Sequence, residues 1–204
     1  LCALFREAGV DVVEFRKLPD DPDLTRQELE AAISCGELIA FSGGVSAGNF
    51  DFIPDAMKEC GLDIHFTRLL VKPGKPMTYA TGDKTFVFGF PGNPVSTYVM
   101  FHLFALPAIR KLQGSRFLRK TFHLPMANTW KRRKAERLEF FPVQIIEKTG
   151  SQTALKPLEY HGSAHLAALG NADGLAIVRP GIHTISAGGL IEFWPLSVNR
   201  YIGV

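Results

Sequence analysis

The ten residues VFGFPGNPVS (Val87–Ser96) run from an apolar stretch into two prolines and two glycines, and then into a long apolar helical pattern. Pro91 and Pro94 have fixed φ angles and no N–H to donate. Asn93 is placed to cap the helix that follows, with Pro94 in its first turn. Gly92 has no side chain, so another part of the chain or a ligand can approach the backbone there. The stretch therefore predicts a buried strand, a stiff corner and a helix. Such a corner is either purely structural or one wall of a ligand site at the end of a strand.

The same alternation extends on both sides. LCALFREAG ends a helix, VDVVEF (residues 10–15) predicts a strand, and DPDLTRQELEAAIS predicts a helix with Leu24, Leu29 and Ile33 on one face. ELIAFSGG predicts a buried strand, FIPDAMKECG a helix, and IHFTRLLV and TFVFGF two more strands. The helix opened by Asn93 and Pro94 continues to Gly114, with Pro107 expected to bend it. This pattern predicts a three-layer α/β domain with a mostly parallel sheet. From residue 116 onward the chain changes character. TFHLPMANTW, RLEFFPVQIIEK, QTALKPLEY, GLAIVRPG and GGLIEFWPL are short strand patterns separated by turn residues. They predict a small all-β barrel. The expected domains are 1–115 and 116–204.

Composition narrows the class. The chain has 204 residues, 46% apolar and 21% charged, and no run long enough for a membrane span. Cys2, Cys35 and Cys60 are an odd set without CxxC spacing, which argues against a disulfide framework or a zinc site and fits a cytoplasmic protein. Residues 1–115 hold 11 Lys+Arg and 14 Asp+Glu, whereas residues 116–204 hold 12 and 6. An acidic half is joined to a basic one, and the basic half suits an anionic partner.

In an open α/β sheet, ligands bind beyond the C-terminal ends of strands. LPDDPDL, SGGVSAGNFDF and GFPGNPVS fall at such ends, with VKPGKPMTY between the last two. Ser42, Gly43, Gly44 and Ser46 offer backbone N–H groups and hydroxyls to an oxyanion, or form a tight strand-to-helix turn. Asp20 and Asp51 can hold a magnesium ion over phosphates, or cap helices. Lys72 and Lys75 can bind anions as point charges, or lie on a solvated hairpin.

Taken in order, SGGVSAGNFDF, KPGKP and GFPGNPVS resemble the MoeA family, the molybdopterin molybdenumtransferases, whose plant and animal relatives carry the unit as an E domain. The resemblance implies a MogA-like α/β domain followed by the family's small β barrel. It implies a reaction in which molybdate and adenylylated molybdopterin react with a divalent cation, AMP leaves, and molybdenum stays on the dithiolene. Asp20, Asp51, Lys72 and Lys75 match acids and lysines important in the family. Ser42, Gly43, Gly44, Ser46, Pro91, Gly92, Asn93 and Pro94 match the molybdopterin and nucleotide loops. Lys75, Pro76, Arg137 of RLEF and Ser163 of HGS match the molybdate site. The metal, Mg2+, falls to Asp20 and Asp51.

The resemblance further implies a homodimer in the full-length enzyme and a MogA-like adenylyltransferase as a possible partner. The chain starts inside the first helix of the family's third domain, so it is expected to be a substrate-binding piece that turns over poorly alone. Ala47, Asn49 and Arg68 depart mildly from the family pattern. The alternative is a non-catalytic E-domain-like scaffold that holds a protein partner. KRRKAERLE (Lys131–Glu139) lacks interleaved aromatics, so it reads as solvated charge and nucleic acid is not expected as a partner. His161 and His165 flank GSA without an obvious third metal ligand.

Overall fold

A computed structural model describes residues 1–45, 52–117, 119–148, 152–159 and 167–196. It divides the chain into two compact units, one of residues 1–69 and 74–117, the other of residues 70–73 and 118–204.

The first unit opens with α1 (Cys2–Glu7) and α2 (Pro22–Cys35), followed by β1 (Leu38–Ser42), α3 (Ile53–Glu59) and β2 (Asp63–Arg68). The two residues of β3 (Val71–Lys72) leave for the other unit. The chain then returns as β4 (Pro76–Thr81) and β5 (Phe86–Phe90). A continuous helical run follows: α4 (Pro94–Met100), one π turn (Phe101–Ala105) and α5 (Leu106–Leu112). The sheet order is β1-β5-β4-β2. Only β1 and β5 pair in parallel, while β4 is antiparallel to both β5 and β2. The α/β expectation holds, but among the described residues "mostly parallel" is corrected to mixed. The cause is local: β2 and β4, and then β4 and β5, are joined by short connections, and only a long crossover delivers a parallel neighbour.

β5 shows how the layers form. Val87 packs with Leu29, Ile39, Met57 and Ala80 under α2 and α3. Phe88 and Phe90 face the other way and continue through Phe101 to Phe5 of α1. That is the period-2 alternation of a strand covered on both faces. The bend expected at Pro107 appears just upstream as the π turn. Pro107 has no N–H for the carbonyl four residues before it, and a widened turn relieves that defect.

Residues 10–15 are not a strand. They form irregular backbone in which Val13 and Phe15 are exposed. Strand propensity is realised only with a neighbour to pair with, and none of the described residues supplies one.

The second unit contains β3, β6 (Phe122–Pro125), β7 (Trp130–Lys131), β8 (Leu138–Lys148), β9 (Gln152–Pro157), β10 (Gly174–Val178), β11 (Thr184–Ile185) and β12 (Leu190–Pro195). The order β8-β10-β12-β6 is antiparallel throughout. β9 pairs the distal half of β8, and the ring closes through the bridge Met126–Leu155. The core holds Met126, Phe141, Val143, Leu155, Ala176, Val178, Ile191 and Phe193. Among the described residues of this unit, one short helix, α6 (Ala167–Gly170), accompanies the strands.

Tyr98 on α4 gives the first unit a pH limit. Burial, and secondarily the charge of Glu7, push its phenol up to about 12. A raised folded value means stability is full below the unfolded value near 10 and is lost as pH rises through about 12. Thermal unfolding should therefore show a falling midpoint above pH 10, and Tyr98→Phe should flatten that fall. An unchanged slope in the variant would assign the loss to other groups.

Candidate functional site

The C-terminal ends of β1 and β5 lie side by side because these strands are parallel neighbours in register from Leu38↔Phe86 to Ser42↔Phe90. The turn after β1 is tied to β5 where the Gly43 N–H donates to the Phe90 carbonyl at 3.0 Å. Gly92 sits against it so closely that a Cβ there would lie 3.6 Å from the Gly43 Cα. Gly43 and Gly44 have φ of 96° and 67°, a left-handed path that side chains disfavour. β4 runs antiparallel to β5, so its first residue, Pro76, and the preceding Lys75 lie at this same edge. Ser42, Gly43, Gly44, Pro91, Gly92, Asn93, Pro94, Lys75 and Pro76 are thus brought together. Ser46 and Asp51 lie outside the described residues.

The corner is stiffened from beneath. The Thr97 hydroxyl donates to the carbonyls of Pro91 and Asn93, and the Thr97 N–H donates to the Asn93 carbonyl at 2.9 Å. Asn93 occupies the cap position, but its own side chain makes no capping bond. Its amide is exposed and available at the edge. The side chain at Gly89 is excluded for a packing reason: a Cβ would stand 2.6 Å from Val45 Cγ1, which anchors the end of the Ser42–Val45 turn.

The remaining candidates are distributed differently. Asp21, not Asp20, caps α2, accepting from the Leu24 N–H at 2.8 Å. Asp20 is left exposed, with no partner among the described residues. No group of three or more metal-ligating side chains occurs among those residues. Lys75 belongs to the α/β unit and Lys72 to the β unit, so KPGKP is shared between them. Lys72 pairs with Glu139 at 2.7 Å. Arg137 directs a guanidinium N–H toward the Val71 carbonyl at 3.5 Å. Ser163, His161 and His165 lie outside the described residues.

Within the β unit, Lys72, Arg132, Arg133, Lys134, Arg137 and Glu139 line a recess of about 270 Å3. Sequence reasoning took KRRK as solvated charge and missed this recess. The only signal available was the charge run itself, because the fold that buries Arg132 comes from residues far along the chain.

Comparison with known proteins fits these two units. Residues 1–111 match the model described as a probable molybdopterin binding domain, and residues 124–196 match the MoeA C-terminal region, domain IV. The fold and its turns thus define a molybdopterin-binding-domain protein with an appended β unit. The chain belongs to the MoeA family. It is 44% identical over 97 residues to the molybdenum cofactor synthesis protein cinnamon of Drosophila melanogaster, covering 48% of this chain and 16% of the fly protein. It is 28% identical over 201 residues to the molybdopterin molybdenumtransferase of Haemophilus influenzae, covering 98% of this chain and 49% of that protein. A solved molybdopterin biosynthesis moea protein from Pyrococcus horikosii has the same fold, with a TM-score of 0.76 at 20% identity over 96% of this chain and 46% of that one. The chain therefore spans about half, or less, of the length of these relatives.

Proposed function

We propose that this chain is the substrate-binding part of a molybdopterin molybdenumtransferase. It would hold adenylylated molybdopterin while molybdenum from molybdate enters the dithiolene and AMP departs. The observation that carries this reading is the convergence of the Ser42–Gly44 turn, the Pro91–Pro94 corner and Lys75–Pro76 on one edge of the α/β sheet. Two rigid turns form the walls, so little ordering cost falls on binding. The exposed amide of Asn93 and the exposed hydroxyl of Ser42 meet the polar edge of a pterin or a phosphate.

Molybdate, a tetrahedral dianion, suits Lys75, Pro76, Arg137 and Ser163, which combine an ammonium, a guanidinium and a hydroxyl. Asp20 and Asp51 are the hard oxygen donors assigned to Mg2+, which would offset charge on the phosphoanhydride. The free Asp20 carboxylate fits that role, because Asp21 takes the capping duty. A homodimer and a MogA-like adenylyltransferase, as donor of the adenylylated substrate, complete the reading.

Calorimetric titration of the 204-residue chain with adenylylated molybdopterin is expected to give one saturable site that AMP competes for. Absence of saturable binding would remove the sheet edge as a substrate site. Binding without any turnover, in this chain and in a longer version alike, would favour the scaffold alternative.

A further inference from the structure

Beneath the Ser42–Gly44 turn lies a buried hydroxyl that the fold leaves unused. Phe41, Gly89 and Thr78 form one row across β1, β5 and β4, one layer below the rim where Gly43, Pro91 and Pro76 lie. Gly89 leaves a notch in this row, and the buried side chain of Val45 fills it. A Cβ on Gly89 would lie 2.6 Å from Val45 Cγ1 and 3.2 Å from Thr78 Cβ. Val45 joins Ile39, Ile53 and Ala80 in one core, and strand alternation puts Thr78 on the face of Ala80. Thr78 is fully buried, and its Oγ1 has no hydrogen-bond partner among the described residues. The hydroxyls of Thr25 and Thr97, also buried, donate to the carbonyls of Asp21 and Pro91. A valine at position 78 would fill the same shape in a strand without the cost of an unpaired hydroxyl.

We propose that Thr78 is a positioning residue that acts through Val45 and makes the Ser42–Val45 turn releasable. In the seated position Val45 fills the notch and the Gly43 N–H donates to the Phe90 carbonyl at 3.0 Å. In the lifted position Val45 leaves the notch, that bond opens, and water reaches the Thr78 hydroxyl. The seat is shallow because two terms oppose each other. Burying a valine side chain favours it, and drying a hydroxyl without a partner disfavours it by a similar amount. Gly43 and Gly44, at φ of 96° and 67°, supply the hinge, since glycine passes between left-handed and right-handed backbone at little cost. The seated turn is the wall of the sheet-edge site, and lifting it lets a ligand enter and leave.

The use of this turn by a ligand rests on the substrate-binding reading, but its release does not, so release is tested first without ligand. Amide exchange of the 15N-labelled 204-residue chain is followed by NMR in the unsubstituted protein, Thr78→Val, Thr78→Ser and Gly89→Ala. Thr78→Val keeps the shape and removes the hydroxyl, so the Gly43 amide should exchange about tenfold more slowly. Thr78→Ser keeps the hydroxyl and should keep the unsubstituted rate. A hydroxyl with a merely structural role would shift only the β5 amides that exchange through global unfolding. Gly89→Ala fills the notch, holds Val45 out of it, and should strip the Gly43 amide of protection. Stopped-flow fluorescence with adenylylated molybdopterin is the second measurement. Thr78→Val should slow association and dissociation alike by about tenfold with affinity unchanged, because both pass through the lifted turn. Gly89→Ala should weaken binding by about tenfold, because the wall is no longer preorganised.

An unchanged Gly43 exchange rate in Thr78→Val, or equal slowing in Thr78→Ser, overturns the role of Thr78. Full protection of Gly43 in Gly89→Ala overturns the seat. If Gly89→Ala unfolds the α/β unit, Val45→Ala, which removes the pin instead of blocking its notch, should expose Gly43 in the same way and decides in its place. The expected exchange pattern without binding of adenylylated molybdopterin by any of these chains would sink only the substrate-binding reading. Binding with the same association and dissociation rates in Thr78→Val as in the unsubstituted chain would sink only the passage of ligand through the lifted turn.

Discussion

Gly92→Val is expected to weaken binding of adenylylated molybdopterin to this chain by about two orders of magnitude, close to 3 kcal/mol. The first atom of any side chain at position 92 would lie 3.6 Å from the Gly43 Cα. Contact at that distance is ordinary, so the fold survives. The two further carbons of valine, however, must project from the Pro91–Pro94 corner into the space between the turns, where the ligand is proposed to lie. Gly92 is exposed and does not need a left-handed φ, so the substitution adds no backbone strain. Calorimetry checks the loss, and thermal unfolding checks that the midpoint stays within roughly 2 °C. Binding within twofold of the unsubstituted chain would place the ligand elsewhere.

The largest stability effect is expected at Gly174, the first residue of β10. A Cβ there would fall 2.2 Å from Phe193 Cε2 and 2.4 Å from the Trp194 carbonyl oxygen. The ring belongs to the barrel core, and the carbonyl belongs to β12, which pairs with Gly174 through Pro195. Neither can yield without breaking the β10–β12 ladder. Overpacking of this kind costs about 3 kcal/mol, at the upper end of the usual range. Gly174→Ala should therefore lower the unfolding midpoint of the β unit by several degrees, read in the near-ultraviolet signal of Trp130 and Trp194. An unchanged midpoint would mean that β10 and β12 are less closely packed than the structure requires.

Much of the α/β unit is legible in the sequence because its signals are local. In Val87–Ser96, the alternating apolar strand, the Pro-Gly corner and the helix opening lie within ten residues, and each is realised. What was not legible depends on distant partners. VDVVEF has strand propensity but no described neighbour to pair with. PMTYAT is not among the strands expected from the sequence, yet it forms β4, because β5 and β2 flank it on both sides. The departure of Val71–Lys72 to pair with β8 rests on two residues, too few to leave a periodic trace.

The candidate site divides in the same way. The glycine and proline turns were visible as motifs, and their convergence follows from strand register. The buried Arg132–Glu139 pair was invisible, since the acceptors that satisfy Arg132 include carbonyls 47 and 50 residues away.

The claim that this chain carries the substrate loops of the family reaction is tested most directly by single-turnover AMP release from adenylylated molybdopterin, with magnesium and with or without molybdate. The 204-residue chain is compared with the Haemophilus influenzae relative and with a chimera in which residues 1–204 replace the matching half of that relative. Molybdate-dependent release by the chimera is expected, abolished by Gly92→Val, with release by the isolated chain slower by about a hundredfold, since small misplacement of reacting groups costs that much. Release by the chimera that ignores molybdate, or that survives Gly92→Val, would contradict it.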